Sequence, residues 1–359
     1  MTGLRLFGPG TARRMLVTQA ALAGVIGLRI AFGPYLDLAG QPAALFRPVW
    51  FLRPLDAMPG TAAIVALQVV GTATAALAVV GWRRRASFPV AWVGLLVLAG
   101  LRSSRGKFLH NDALLLLAAV PFLLAPAARW RDQARSARFG WPVHTATVVV
   151  AGAYFFSGLA KVLHSGPAWV FTDNLRYVLY QAADGGKVRF PGVATWLADQ
   201  SGLAHWLAAG VLLFELTFAA VLFGGRRTSN AYAAGAVALH AGTWLALGLD
   251  YWAWAAVSAV VLVDWAPVVE RGRVAGLSRY RLGRPPRFSP DDGNRRPVAD
   301  VVPAEWREKA EALTCENVGP GDDAVSPRPP SATFLSSPSP FSPSSAPPRP
   351  RPPRPRRSG

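Results

Sequence analysis

Tyr154-Phe-Phe-Ser157-Gly-Leu-Ala-Lys161-Val-Leu-His164-Ser-Gly-Pro-Ala-Trp169 closes an apolar run that begins at His144. The run has the length of a lipid-crossing helix, and it ends on a lysine. At helical spacing Ser157, Lys161 and His164 follow Tyr154 by three, seven and ten residues. The four therefore share one face of an otherwise lipid-compatible helix. Two readings of this polar stripe are open. In one, Lys161 snorkels to the headgroups and His164 sits in the interfacial loop. In the other, the stripe is chemical: an amine desolvated by apolar neighbours gives up its proton more readily and serves as a base, with histidines as relays.

The rest of the chain supports a lipid setting. Of 359 residues 52% are hydrophobic and 16% charged, against roughly 25% charged in ordinary soluble domains. The net charge of +18 is concentrated in short loops and the C-terminal region, which suits anionic lipid headgroups better than nucleic acid. No Gly-rich phosphate loop, zinc-type spacing or basic-aromatic RNA signature is present, and no His-x-x-Glu pair sits on a helix, so neither a metal nor a nucleic-acid partner is expected. The one cysteine, Cys315, leaves no disulfide within the chain.

Eight apolar stretches follow a basic leader, residues 1–14: about 15–35, 61–82, 88–101, 112–127, 143–163, 203–223, 231–248 and 251–268. The third is short for a bilayer, and the fourth is interrupted by Pro121. The connection 165–200 mixes aromatics and charges, and a folded interfacial cap with one or two helices is expected there. Basic residues at 13–14, 83–85, 129–138 and 226–227 alternate with less basic loops, so the positive-inside rule places both termini in the cytoplasm of a multi-pass cell-membrane protein. Residues 269–317 read as a basic juxtamembrane segment with one short helix near Ala304–Leu313. Residues 318–359, rich in Pro, Ser and Arg, read as a disordered tail. The expected fold is thus an all-α polytopic integral membrane protein.

Ionisable residues within apolar stretches are functional candidates because lipid does not solvate them. They are Arg29, His110 with Asp112, Lys161, Glu215 and His240. Tyr154, His164 and Trp169 join them as flanking binding candidates. The structural alternative is that Arg29 pairs with Glu215 and only locks two helices together. Asp264 and Arg102 read as interfacial.

These residues stand in an order that resembles the membrane domain shared by vitamin K-dependent gamma-carboxylases and the bacterial HTTM (horizontally transferred transmembrane) proteins, over roughly residues 16–268. Five stretches carry the resemblance: Arg29-Ile-Ala-Phe-Gly33; Arg47-Pro with Leu52-Arg-Pro-Leu55; His110-Asn-Asp112; Tyr154 through Gly158 and Lys161 to Trp169; and Glu215 with His240 and Leu247-Gly248. The resemblance implies that Lys161 matches the base that deprotonates reduced vitamin K. Oxygen then converts the quinol to an epoxide, and a strong base formed on the way takes a proton from glutamate. A histidine near His110 or Asn111 supports that chemistry, and a reduced naphthoquinone is the implied cofactor. Carboxylases carry a large folded domain after the membrane part. Here residues 270–359 are of low complexity, which makes the shorter HTTM proteins the closer match. The two functional expectations are a quinone-lipid enzyme or redox accessory with Lys161 as base, and a non-enzymatic scaffold or subunit for a membrane or soluble partner protein.

Overall fold

The computed structural model describes residues 8–105, 110–132, 134–186 and 188–272. The short helix expected near Ala304–Leu313, most of the basic juxtamembrane segment, the tail and Cys315 lie outside the described residues. Within these bounds the chain is helical apart from loops and one two-stranded ribbon.

Helix α1 (Ala12–Phe32) starts where the Thr11 hydroxyl accepts from the Arg14 amide at 3.2 Å, an N-cap for one of the four unpaired donors of a helix start. The ribbon pairs β1 (Gly10–Thr11) antiparallel with β2 (Arg135–Ser136), placing Gly10 opposite Ser136. It fixes the start of α1 beside the start of α5 (Ala137–Ser165). Helices α2 (Thr61–Val80) and α3 (Arg84–Ser103) form a hairpin. Gly81, at φ +85°, donates to the Ala78 carbonyl and Trp82 to that of Leu77, a Schellman closure that needs a left-handed residue. Gly94 meets the backbone of Gly71, and Gly71 receives the side chain of Ile30. Small residues thus let three helices approach closely. Among the helices of membrane length α1 is the most enclosed, with Leu22, Ile26 and Ile30 fully buried in the core.

Helix α4 (Ala113–Leu123) stops short of its expected end near residue 127. Pro121 removes one helical donor, and Pro126 disfavours helical geometry at Ala125 before it. By contrast, α3 reaches 20 residues because its polar ends, Arg84 and Arg102, are helical too.

After α5 the cap contains, among the described residues, α6 (Ala168–Phe171), α7 (Asn174–Asp184) and α8 (Pro191–Asp199). Leu179, Val188, Ala194 and Ala198 give it a small core of its own, which packs on Ala246 and Leu247. Helix α9 (Ser201–Thr217) continues as a 3-10 turn to Leu222, and α10 (Arg226–Leu247) ends at Gly248 in the left-handed region. Helix α11 (Trp252–Leu262) is followed by a helical piece, Ala266–Gly272, bent 84° from it.

Among the described residues five helices are long and apolar enough to cross a membrane: α1, α2, α3, α5, and α9 with its extension. The number is six if the bent pair at α11 counts as one span. Large apolar side chains such as Val69, Val70, Phe156, Trp206 and Leu213 face outward, a surface that suits lipid rather than water. The protein is therefore an all-α membrane protein. At 11 residues α4 rises only about 17 Å, less than the hydrocarbon core of about 30 Å. Helix α10 is long, but its first turn, Arg226-Arg-Thr-Ser-Asn230, is polar.

Candidate functional site

Helix α5 presents Tyr154, Ser157 and Lys161 along one face, as the spacing requires. Lys161 does not turn outward to the headgroups. Its Nζ donates to both carboxylate oxygens of Glu215, at 2.7 and 2.6 Å, and to Ser157 Oγ at 3.0 Å. Ser157 Oγ in turn donates to Glu215 at 3.3 Å. The lone desolvated amine of the sequence reading is thus replaced by a lysine–carboxylate unit. The Lys161 side chain is 20% exposed and that of Glu215 8%. Lys161 Nζ also lies 5.3 Å from the ring centroid of Trp169, on α6, a cation–π distance.

The approach of α5 to α9 depends on Gly158. A Cβ there would stand 2.9 Å from the Glu215 Cβ and 3.1 Å from the Leu216 amide nitrogen. Gly158→Val is expected to lower the melting temperature in detergent by the equivalent of about 1–3 kcal/mol of overpacking. Gly152→Ala, where the nearest atom would be 3.7 Å away on Phe156, should leave it nearly unchanged. A Gly158→Val protein as stable as wild type would refute this contact.

Tyr154 is buried and stacked on Phe218, with ring centroids 4.1 Å apart. Its hydroxyl bonds His240 Nε2 at 2.8 Å and Ser258 Oγ at 3.1 Å. A second tyrosine–imidazole pair lies nearby: Tyr251 OH is 2.7 Å from His110 Nε2, and the Trp254 indole donates to the His110 carbonyl at 3.3 Å. Both pairs and the Lys161–Glu215 unit line one cavity of about 380 Å³, between α5, α9, α10 and the cap. Leu175 and Val178 of the cap, with Val211 and Leu239, make much of its wall apolar. Two residues of the wall carry buried polar atoms with no hydrogen-bond partner among the described residues, Trp169 Nε1 and His240 Nδ1. An apolar cavity with a few placed polar groups is the usual form of a small-molecule site.

Of the expected residues, Lys161, Glu215, Tyr154, His240, His110 and Trp169 thus meet at one cavity. Three do not. His164 is exposed in the last turn of α5, just before Gly166 turns the chain with φ +55°, and does not line the cavity. Arg29 and Asp112 form a separate buried cluster. Arg29 Nε donates to Asp112, and Nη1 donates to Asp250 at 2.7 Å. Asn111 donates to the Asp250 carbonyl at 2.6 Å. The Arg29–Glu215 pair weighed from sequence does not form, since each residue has another partner. Arg102 is partly buried, 3.9 Å from Asp112. The sequence reading missed Asp250, Tyr251, Trp254 and Ser258. The signal for the first two was a polar and aromatic turn, Leu249-Asp-Tyr-Trp252, directly after a helix-ending glycine.

The fold and this site together define an all-α membrane protein with an internal, mostly apolar cavity carrying paired acid and base groups. No protein-family model, curated protein or solved structure matches the chain.

Proposed function

We propose that this is a membrane-embedded protein of the HTTM type whose cavity takes a quinone-like lipid. In this reading Lys161 and Glu215 act as one proton-accepting unit toward a ring hydroxyl, and the imidazoles of His240 and His110, each held by a tyrosine, bond the ligand's other oxygen. One observation carries the proposal: a lysine–carboxylate unit and two tyrosine–imidazole pairs line the same apolar-walled cavity. A fused aromatic ring carrying ring oxygens would set its carbons against such apolar walls and its oxygens toward such polar groups. The unpartnered Trp169 and His240 nitrogens are further places for such oxygens. Proton removal by a positioned side chain is general base catalysis, and an enclosed unit of this kind suits it.

The proposal includes eight crossings, with α4, α10 and the bent α11 pair added to the five helices above. It also places both termini in the cytoplasm of the cell membrane. The supporting feature is that Arg13, Arg83 to Arg85, Arg129, Arg138 and Arg226 lie in or beside the helix ends at the α1 start of the bundle, where the positive-inside rule would put cytoplasm.

A second reading, a scaffold or partner subunit, is favoured by the same salt bridge. Lys161 and Glu215 neutralise each other and need no ligand. Titration of the purified protein with reduced naphthoquinones separates the two. Saturable binding with quinol consumption that is lost in Lys161→Ala supports the enzyme. Binding without turnover supports a quinone-sensing or accessory role. No binding by wild type would falsify the quinone reading and leave the scaffold.

A further inference from the structure

At the end of the bundle away from the Lys161 cavity, four segments converge on a second cavity of about 320 Å³. They are the start of α1 (Arg14), the first part of α5 (His144, Thr147), the turn into α10 (Gly224 to Arg226, with Ser229) and the residues after α11 (Asp264). Its chemistry is unlike that of the first cavity. Arg14 and Arg226 bring two positive charges, and Arg14 Nε is buried with no hydrogen-bond partner among the described residues. The 22-residue α10 begins here at Gly225, which supplies no side-chain cap. The first-turn N–H groups, without intrahelical acceptors, add a positive helix end. A Cβ at Gly225 would meet nothing within 4 Å, so the approach to those donors is open.

Asp264 is the acidic residue in the wall, and its Oδ1 already accepts from the Ala266 amide at 3.2 Å. Neither arginine forms an ion pair with it within 4 Å. Val148, Val221, Leu222 and Leu262 add an apolar part to the wall.

We infer that this cavity binds a phosphate group, held by Arg14, Arg226 and the N-terminal amides of α10. Guanidinium forks and helix N-termini are suited to tetrahedral oxyanions because both present several fixed N–H donors. Two sources offer the same chemistry: the headgroup of an anionic phospholipid, whose glycerol and upper acyl carbons would meet the apolar side, and a water-soluble phosphate. The inference does not depend on the quinone reading, since no residue is shared between the two cavities.

The test uses the full chain purified in a neutral detergent. Its melting temperature is followed while inorganic phosphate, phosphatidylglycerol or phosphatidylcholine is added, the last carrying a cationic choline on its phosphate. Phosphatidylglycerol is expected to raise the melting temperature at lower concentrations than phosphatidylcholine. Arg226→Gln, at an exposed position that folding tolerates, should weaken the effect at least about tenfold, the worth of one charge-assisted hydrogen bond. Arg14→Gln should do the same, and Arg131→Gln, an exposed arginine outside the cavity, should not. Stabilisation by inorganic phosphate as well, with the same sensitivity to Arg226→Gln, would identify a water-soluble ligand at the same site. The inference is overturned if neither phosphate nor phosphatidylglycerol stabilises the protein. It is also overturned if Arg131→Gln weakens the effect as much as Arg226→Gln, which would mean diffuse surface charge.

Discussion

Lys161→Met is expected to destabilise the protein in detergent by about 3 kcal/mol, and Lys161→Met with Glu215→Leu to recover most of that loss. The reason is an asymmetry in buried ion pairs. Removing one partner strands the other charge, at a typical cost of about 3–5 kcal/mol, whereas replacing both with apolar groups of similar size is often neutral. Glu215 is 8% exposed and lies against α5, so its carboxylate has little water to turn to once Nζ is gone. The one-fifth exposure of Lys161 puts the expected effect at the low end of the range. Glu215→Gln should cost less than Lys161→Met, because the amide oxygen still accepts from Nζ. Lys161→Met, Glu215→Leu, the double variant and the wild type form a double-mutant cycle, read from unfolding in detergent. Additive losses would sink the idea that the two residues act as a unit. The double variant also serves the functional question, since it restores the fold while removing the proposed base. Loss of quinol binding in that well-folded protein would not be attributable to unfolding.

Arg29→Met should be the more damaging substitution, toward the upper end of about 3–5 kcal/mol. Arg29 uses two different nitrogens for two carboxylates, Asp112 at the start of α4 and Asp250 before α11. Its own side chain and that of Asp112 are each 3% exposed. Arg29→Lys is expected to rescue only in part, because one ammonium does not reproduce a planar fork that serves two partners at once. Asp250→Asn should be milder than Asp112→Asn, since Asp250 is 37% exposed and water compensates it. The ordering of the four variants by melting temperature is the measurement. An Arg29→Met protein as stable as wild type would show that the cluster contributes no net stability.

The long helices could be read from the sequence because their apolar runs and flanking arginines are local properties. The stripe on α5 was also legible from Tyr154 to Lys161, where helical spacing alone places the side chains. It failed one step further on, at His164, which is still in the last turn of α5 but ten residues after Tyr154, a rotation of about 80° away from it around the helix. Pairings across the bundle were the least legible. Arg29 lies in one apolar stretch and Glu215 in another, which made them natural partners on composition. The true partner of each depends on helix rotation and neighbour order, which no single stretch encodes. Asp250 sits in a short turn between two apolar stretches, yet its position beside α1 makes it one of the two carboxylates of a cluster. Likewise Tyr251 and Trp254 belong to the cavity only because α11 folds back beside α5.

The two partners of Arg29 also bear on how the chain is assembled. They stand 83 and 221 residues downstream of it. When α1 leaves the ribosome neither carboxylate has been made, and Arg29, in the last turn of α1, carries part of the cost, about 2.5–3.5 kcal/mol, that an arginine has at a helix centre. The helix enters the bilayer on the strength of its other residues, with a charge still waiting for its counter-ions. Asp112 arrives with the fourth apolar stretch and Asp250 with the turn before the last. Until both are in place Arg29 lacks at least one of its two carboxylate partners. The turn before α11 therefore completes a charge cluster that the first helix begins.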